Sequence, residues 1–289
     1  MSGDLKVTQG SSTSVSTAEP LPVRLVPQGI NPLGPAGAWL GKSLYRSGAI
    51  VLFLALWELL PLFVLAPSAK VFLPPLHEVL QALWQLAISG DLWTHIVASL
   101  SRSAAGFTLA IAIGIPAGLI IAWYPKIRQF LNPLLEVFRN TAALALLPVF
   151  TLILGIGETS KIAIVVYAAF FPVLLNTILG ARNVDPLLIR AARTLGLTNV
   201  EIFSKVILPS AVPTIFTGIR MAGTASVLVL IAAEMIGAKA GLGYLITNSQ
   251  ASFLIPQMYA AILTVSVLGY VVNALLVALE RHFSRWDQN

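Results

Sequence analysis

The sequence contains no cysteine and very little charge. Without cysteine the chain cannot form disulfides, thiolate metal sites or a cysteine nucleophile. Charged residues make up 10% of the chain, whereas soluble globular domains carry roughly 25%, so there is too little polar surface to face water on all sides. The formal net charge of +6 therefore does not point to nucleic acid, because the basic residues lie between apolar runs, where they orient a membrane protein.

Hydrophobic residues are abundant, at 57% of the chain, and they gather in long runs with few charges. A helix needs roughly 20 such residues to cross the hydrocarbon of a bilayer. The pattern predicts an all-α polytopic membrane protein with six transmembrane helices, at residues 49–66, 104–124, 134–156, 162–181, 215–236 and 258–279.

The basic residues predict the orientation of these spans. Six spans place both termini on one side, and that side receives thirteen of the 18 lysines and arginines: Lys6, Arg24, Lys42, Arg46, Lys126, Arg128, Arg182, Arg190, Arg193, Lys205, Arg220, Arg281 and Arg285. The opposite side receives Lys70, Arg102, Lys161 and Lys239. By the positive-inside rule both termini are cytoplasmic. We expect a disordered tail over 1–45, rich in Ser, Thr, Pro and Gly, a transmembrane domain over 46–285, and a short cytoplasmic tail over 286–289.

Two motifs that would bind a cofactor are incomplete. Gly41-Lys42-Ser43 ends like a phosphate-binding loop, but Ala36 stands where the first glycine belongs and no strand precedes it. His77-Glu78 resembles the start of a zinc-protease helix, but Gln81 replaces the second ligand. We therefore expect no cofactor and no metal in this chain. The same stretch, 76–87, has apolar residues at helical spacing and predicts a short amphipathic helix at the outer surface.

Small residues follow one face of the second predicted span, at Gly106, Ala110, Gly114 and Gly118. Such residues let helix backbones approach closely within a membrane. The face is either a seam between subunits or ordinary packing within the chain, and the second interpretation is favoured.

The segment between the fourth and fifth spans, 183–216, is far longer than a simple connection needs. Asp185-Pro186 is typical of a helix start and Gly196 of a helix end. Thr198 or Asn199 can cap a second short helix, from Val200 to about Ile207, that ends at Leu208-Pro209. The pattern predicts a helix–turn–helix elbow on the cytoplasmic face, which is either a rigid connector or a docking element.

The elbow resembles the cytoplasmic signature of ABC importer permeases. That signature reads Glu-Ala-Ala, three residues, Gly, nine residues, Ile, one residue, Leu-Pro. Here Ala191-Ala192, Gly196 and Val206-Ile207-Leu208-Pro209 match its spacing, with Arg190 in place of Glu and Val206 in place of Ile. The Arg, together with FLPPLHEVL, GIGETSK and AAEMIGAKAGLGYLI, is similar to the nitrate, sulfonate and taurine branch of the binding-protein-dependent transport inner-membrane component family.

This resemblance, which covers residues 50–285, implies the type I importer fold and a mechanism. Two permeases surround a central path in the bacterial inner membrane, as a homodimer or a heterodimer with the homodimer favoured, and a periplasmic or lipid-anchored binding protein delivers the solute. Two ATPase subunits bind ATP and Mg²⁺ and each receives a coupling helix, while this chain is not an enzyme. The resemblance assigns ATPase coupling to Arg190, Ala191, Ala192, Arg193, Gly196, Asn199, Glu201, Val206, Leu208 and Pro209. In it Ala191, Ala192 and Gly196 allow tight packing, while Arg193, Asn199 and Glu201 face the ATPase.

Ionisable residues within spans are costly and usually face a cavity or one another. Arg139 either draws an anion inward or pairs with an acid at the membrane surface. Glu58 and Glu234 are expected to make structural or gating contacts rather than to touch an anion. The predicted path and gate residues are Arg139, Asn140, Thr141, Leu144, Pro148, Ser226, Leu230 and Glu234.

The sequence predicts the identity of the transported solute less precisely than it predicts the class of transporter. Sulfonate-type relatives typically read Pro-x-Pro-Pro-Leu-Ala-Trp after the arginine, whereas this chain reads Asn140 to Leu146 without proline or aromatic residues. A small organic anion such as a sulfonate or taurine, or nitrate, is expected from the branch. The alternative is a secondary transporter driven by an ion gradient, which would be built from internal repeats and would not need the elbow.

Overall fold

The computed structural model describes the backbone of residues 35–63 and 71–283, with side chains from Gly48 onward. Most of the predicted tail 1–45, and all of 286–289, lie outside the described residues; the first helix already begins at Pro35. The described residues form helices and no strands: α1 Pro35–Phe63, α2 Leu76–Ser89, α3 Asp91–Trp123, α4 Pro125–Asn140, α5 Leu147–Leu154, α6 Glu158–Arg182, α7 Pro186–Thr194, α8 Asn199–Ile202, α9 Leu208–Glu234, α10 Leu242–Ala251 and α11 Ile255–Phe283.

Four of the predicted spans are confirmed as continuous helices that are long and apolar enough to cross a membrane. They are Asp91–Trp123, Glu158–Arg182, Asn199–Glu234 and Ile255–His282. The bent pair α4 and α5 counts as a fifth if it crosses as one broken span rather than forming a re-entrant loop, and the apolar part of α1, Gly48–Phe63, is shorter. The predicted all-α class is therefore confirmed, while the predicted total of six spans stays a prediction.

The prediction of one helix over 134–156 is wrong, because the chain bends by 90° between α4 and α5. Asn140 donates from its amide to the Glu136 carbonyl, at 2.7 Å, and Thr141 donates from its hydroxyl to Val137, at 3.0 Å. These bonds satisfy carbonyls that the end of a helix leaves without partners. The chain then passes through extended backbone and a 3₁₀ turn, Ala143–Leu146, before Pro148 enters the first turn of α5, the helical position that tolerates proline.

The prediction that the second elbow helix ends at Leu208-Pro209 is also wrong. The chain stays helical from α8 into α9 through a π-helical segment, Phe203–Ile207. Leu208 donates its N–H to the Phe203 carbonyl, five residues back. The wider turn lets the helix continue although Pro209 has no N–H to donate.

Three long helices, α3, α6 and α9, form the centre of the fold, with α6 packed along both of the others. The small-residue face of α3 lies against α6: a Cβ added at Gly106 would stand 2.6 Å from Val165 Cγ1, and one at Gly118 would stand 2.7 Å from Thr177 Cβ. Packing within the chain therefore accounts for this face, as the favoured interpretation stated.

Substituting Gly118 by Ala is expected to destabilise the bundle by about 1–3 kcal/mol, the usual cost of overpacking a tight core. Gly269 lies within α11, where an added Cβ meets nothing within 4 Å, so Gly269→Ala is the matched control. Thermal unfolding in detergent should give a lower midpoint for Gly118→Ala and an unchanged or higher one for Gly269→Ala. Equal midpoints for the two variants would contradict close packing of α3 on α6.

The amphipathic helix predicted at 76–87 is α2, which buries Val79, Ala82 and Leu86. Two contacts fix α2 and the turn before it to the end of α1. Trp57 donates from its indole to the Pro74 carbonyl, at 3.2 Å, and the Glu58 carboxylate lies 2.7 Å from His77 Nδ1. The expectation that Glu58 makes a structural contact agrees with this pairing.

Candidate functional site

The elbow is built from two short helices, α7 and α8, joined by a tight turn. Asp185 caps α7 by accepting the Leu187 N–H at 2.8 Å. At the other end the Gly196 N–H bonds to the Arg193 carbonyl at 3.0 Å and the Leu197 N–H to the Ala192 carbonyl at 3.1 Å. This is the Schellman arrangement, which needs a left-handed residue, and Gly196 supplies it with φ of +78°.

A capping box begins α8. The Glu201 N–H bonds to the Thr198 hydroxyl, while the Glu201 carboxylate accepts the Thr198 N–H at 3.0 Å. Lys205 lies 2.9 Å from the other carboxylate oxygen. Glu201 therefore orders its own helix, and its assignment to an ATPase-facing surface stays a prediction.

The elbow is joined to the bundle by an apolar cluster. Its buried members are Val184, Ala192, Ile202 and Ile207, with Trp123 and Phe203 packed against them. The contact brings the end of α3, the end of α6 and the elbow to one end of the molecule, which we call the elbow end. The elbow is consequently packed directly against the ends of helices that are long and apolar enough to cross a membrane.

Large apolar side chains nevertheless remain exposed on the elbow. Leu195 is 79% exposed, Val200 75% and Leu187 68%. Leu195 and Val200 flank the turn, and exposed apolar side chains that lie together are typical of a docking surface.

The predicted coupling residues are together at this elbow, in different environments. Ala192 is buried, and Val206, Leu208 and Glu201 are half-buried. The remaining residues are exposed: Arg190, Ala191, Arg193, Gly196, Asn199 and Pro209. Tight packing thus accounts for Ala192 but not for Ala191.

A cavity of about 500 Å³ opens beside the bend between α4 and α5. Its size is ordinary for small-molecule sites. Arg139 is the one charged residue in its lining, and the other polar residues are Thr141, Tyr167 and Asn176. Apolar and aromatic residues complete the wall: Phe138, Ala143, Ala168, Phe171, Pro172, Leu175, Met221, Ala225 and Val229.

Arg139 is half-exposed and pairs with Glu136 at 3.0 Å. The Tyr167 hydroxyl donates to the Phe138 carbonyl, and the Asn176 amide donates to the Pro172 carbonyl and to Met221 Sδ. An exposed pair of this kind is weak, and a guanidinium has five N–H donors. Arg139 can therefore meet an anion in the cavity without leaving Glu136.

The cavity includes only part of the predicted path. Arg139 and Thr141 line it, whereas Asn140, Leu144 and Pro148 belong to the same bend but not to its lining. On α9 the lining residues are Met221, Ala225 and Val229. The predicted Ser226 and Leu230 are each 1% exposed and packed inside the chain, and their role in the path stays a prediction.

A buried ionic network lies at the opposite end of the bundle, the network end. Arg102, which is 6% exposed, donates from Nη1 to Glu234 Oε1 at 2.6 Å and to the Ala240 carbonyl at 2.6 Å. Its Nε and Nη2 hold both oxygens of Glu158, the second at 2.7 Å. Lys161, also buried, donates to the Gly157 carbonyl at 3.1 Å. The buried residues Arg102, Lys161 and Glu234 thus lie beside Glu158, whose side chain is 63% exposed, and each buried charge has a polar partner, as burial requires.

The same network caps α10, whose first N–H groups have no partner within the helix. The Gly243 N–H donates to Glu234 at 3.1 Å, the Leu242 N–H to Ser99 at 2.8 Å, and the Gly241 N–H to His95 at 3.1 Å. A side chain at Gly241 would overlap the Glu234 carboxylate, which accounts for glycine there. Glu234 therefore makes structural contacts, and its predicted role in the path and gate stays a prediction.

Sequence reasoning missed most of this network. It counted Arg102 and Lys161 as charges outside the spans, but α3 begins at Asp91 and α6 at Glu158, so both residues lie within helices. A signal was present: Ser99, Arg102 and Ser103 continue the small-residue face of α3 at helical spacing and are buried with it. No comparable signal marked Tyr167 or Asn176 as cavity residues.

Metal chemistry finds no support in the part of the chain that the structure describes, where no three His, Asp or Glu side chains gather to hold an ion. His77, which began the incomplete zinc motif, pairs with Glu58 instead.

Comparison with known proteins gives consistent matches. Residues 114–285 match the family described as "Binding-protein-dependent transport system inner membrane component". The chain is 34% identical to the taurine transport system permease protein TauC of Escherichia coli (strain K12), over 82% of this chain and 86% of that protein. It is 35% identical to the putative aliphatic sulfonates transport permease protein SsuC of Bacillus subtilis (strain 168), over 76% of this chain and 79% of that protein. It is 32% identical to the nitrate import permease protein NrtB of Leptolyngbya laminosa, over 85% of this chain and 91% of that protein.

Solved structures share the fold. An inward-facing form of the MetNI methionine ABC transporter matches with a TM-score of 0.58 at 19% identity, over 68% of this chain and 95% of that chain. An amino acid ABC transporter matches with a TM-score of 0.56 at 20% identity, over 70% of this chain and 97% of that chain. At this level of identity the likeness concerns the fold alone.

Proposed function

The chain belongs to the binding-protein-dependent transport system inner membrane component family, and from that premise we propose how it is driven and what it carries. It is the transmembrane permease subunit of an ABC importer, a multi-pass inner-membrane protein that works with ATPase subunits and a substrate-binding protein. We propose that the finer assignments are a small anionic solute, a homodimer of permeases and ATPase docking at the elbow.

The elbow is the observation that carries the drive mechanism. It is a capped helix pair with exposed Leu187 and Leu195, and it is joined through Ala192 and Ile202 to the membrane helices. In this proposal the ATPase grips the apolar surface, and its closure on ATP turns the bundle between two packings. ATP and Mg²⁺ are bound by the partner, so this chain itself catalyses no reaction.

The cavity at the α4–α5 bend is the proposed solute site. Its one charged lining residue is a cation, Arg139, and its volume of about 500 Å³ accommodates a small organic anion. The names of the permeases it resembles, for taurine, aliphatic sulfonates and nitrate, supply the candidate solutes. Taurine and aliphatic sulfonates have a sulfonate group and nitrate is an oxyanion, and a guanidinium binds anionic oxygens of this kind well.

Substituting Arg139 by Gln is expected to reduce uptake of the transported anion by about tenfold to a hundredfold, the equivalent of one lost charge-assisted hydrogen bond. The matched control is Arg182→Gln, which removes an exposed arginine from the end of α6. Initial uptake rates of taurine, an alkanesulfonate and nitrate should be compared in proteoliposomes that contain the complete transporter. Equal uptake by the two variants would contradict a role for Arg139 in the path.

Orientation and assembly complete the proposal. The distribution of basic residues supports a cytoplasmic location for the elbow and both termini. In this proposal the network end faces the periplasm, where a binding protein docks. One permease sequence that pairs with itself gives two equal elbows for two ATPase subunits.

The test is purification of the tagged chain from detergent-solubilised native membranes. A P-loop ATPase recovered at equal stoichiometry, with ATPase activity that the binding protein and its anion stimulate, is the expected result. A secondary transporter is the competing class: a chain recovered alone that still drives ion-dependent uptake in liposomes would establish it and overturn the importer mechanism.

A further inference from the structure

An open apolar groove of about 350 Å³ lies at the elbow end, apart from the anion cavity. The last turns of α3 form one wall and the elbow forms the other, and no charged residue lines it. Trp123 and Phe203 meet across it edge to face, with ring centroids 5.1 Å apart. The lining residues that matter here are Leu119, Ile120, Trp123, Tyr124, Val200 and Phe203.

The groove lies where a transmembrane helix ends. The span Asp91–Trp123 stops beside it, and Tyr124 is 53% exposed. Tryptophan and tyrosine are typical of the boundary between hydrocarbon and headgroups, because their rings are apolar at one side and polar at the other. An acyl chain of the adjacent leaflet therefore has direct access to the groove.

Two basic residues lie close in the sequence to Tyr124, which lines the groove. Lys126 and Arg128 follow Tyr124 by two and four residues, at the start of α4, and neither side chain forms a hydrogen bond or ion pair within the described residues. The acidic side chains of the elbow are already engaged, Asp185 with a backbone N–H and Glu201 with Lys205. An anionic headgroup would therefore meet uncompensated positive charge.

We propose that this groove is a binding site for an anionic phospholipid of the leaflet on the elbow side. One acyl chain lies along the groove against the contacting rings of Trp123 and Phe203, and the headgroup phosphate lies against Lys126 and Arg128. Charge decides between occupants: an uncharged apolar segment of this chain or of a second copy would leave both cations without a partner. Phe203 also begins the π-helical segment, so the lipid supports the turn that connects the elbow to α9.

Fluorescence quenching can test the site, because Trp123 is itself a wall of the groove. The full chain is placed in nanodiscs of phosphatidylcholine with a minor fraction of either brominated phosphatidylglycerol or brominated phosphatidylcholine. The difference between the wild type and Trp123→Phe isolates the Trp123 signal from that of the other tryptophans. We expect phosphatidylglycerol to quench Trp123 preferentially, by roughly fivefold for each basic residue that contributes.

Variants separate the proposed site from the surrounding bilayer. Lys126→Ala with Arg128→Ala should abolish the preference, while Lys239→Ala, an exposed lysine at the network end, should leave it unchanged. Equal quenching by the two lipids would overturn the proposal. Quenching that appears only after residues 1–34 are removed would also overturn it, because it would mean that this segment occupies the groove in the full chain. No ATPase is needed, so the result is readable even if the proposed importer mechanism fails.

Discussion

Replacing Glu234 by Ala is expected to lower the free energy of unfolding by about 3–5 kcal/mol, the usual cost of removing one partner of a buried ion pair. The carboxylate is 1% exposed and receives Arg102, the Ser99 hydroxyl and the Gly243 N–H. Its removal leaves the cap of α10 incomplete and the buried guanidinium with Glu158 and one carbonyl. Thermal unfolding in detergent, with the yield of folded protein, measures the effect.

Glu136→Ala is the matched control for that substitution. Glu136 also pairs with an arginine, at 3.0 Å, but both side chains are about half-exposed, and surface pairs contribute about 0.2–1 kcal/mol. A large loss for Glu234→Ala with a small one for Glu136→Ala is the expected pattern. Similar midpoints for the two variants would mean that water or relaxation compensates for the buried charge.

Gly196→Asp is expected to abolish uptake while the chain still reaches the membrane in normal amount. Gly196 has φ of +78°, and an added Cβ meets no atom within 4 Å. The fold therefore bears only the left-handed strain, about 1–2 kcal/mol. The new carboxylate projects from the turn between Arg193 and Leu197, beside exposed Leu195, where the proposal places the ATPase. Uptake, the amount of chain in the membrane and co-purification of the ATPase are the measurements.

Gly90→Asp provides the control with the same local strain. Gly90 ends α2 with φ of +86°, and nothing lies within 4 Å of a Cβ added there, but it is remote from the elbow in the sequence and in the helix order. The expected result is loss of uptake and of the ATPase for Gly196→Asp alone. If both variants fail equally, backbone strain is the cause, and if Gly196→Asp transports normally, the elbow does not couple.

The caps of the elbow were predicted from the sequence because their determinants are local. Asp185, Gly196 and Thr198 act on backbone groups two to five residues away, so a short stretch of sequence contains both partners of each bond. The errors arose where proline was taken as a helix end or was passed over. Near Pro209 the helix continues, because the Leu208 N–H bonds to the Phe203 carbonyl in a π turn. At Thr141 the chain bends, because the Thr141 hydroxyl bonds to the Val137 carbonyl at the end of α4.

The site at the network end could not be predicted because its partners are distant in the sequence. Arg102 and Glu234 are 132 residues apart, and Ser99 and Glu234 are 135 apart. The pattern of small residues on α3 indicated a packed face without indicating which helix covers it. The cavity could not be predicted for the same reason. Arg139 and Asn176 are distant in the sequence, and both line the cavity at the bend between α4 and α5.

The amino-acid sequence by itself determined the membrane class, the long apolar helices, the capped elbow and the resemblance to importer permeases. Hydropathy and helix capping depend on residues that are close together in the sequence, so they can be predicted without the tertiary structure. The tertiary structure alone decided that α6 covers the glycine face, that Arg102 bridges Glu158 and Glu234, and that Trp123 and Phe203 enclose a groove. The reason is physical: a buried charge is tolerated only where packing brings its counter-charge, and packing is a property of the assembled helices.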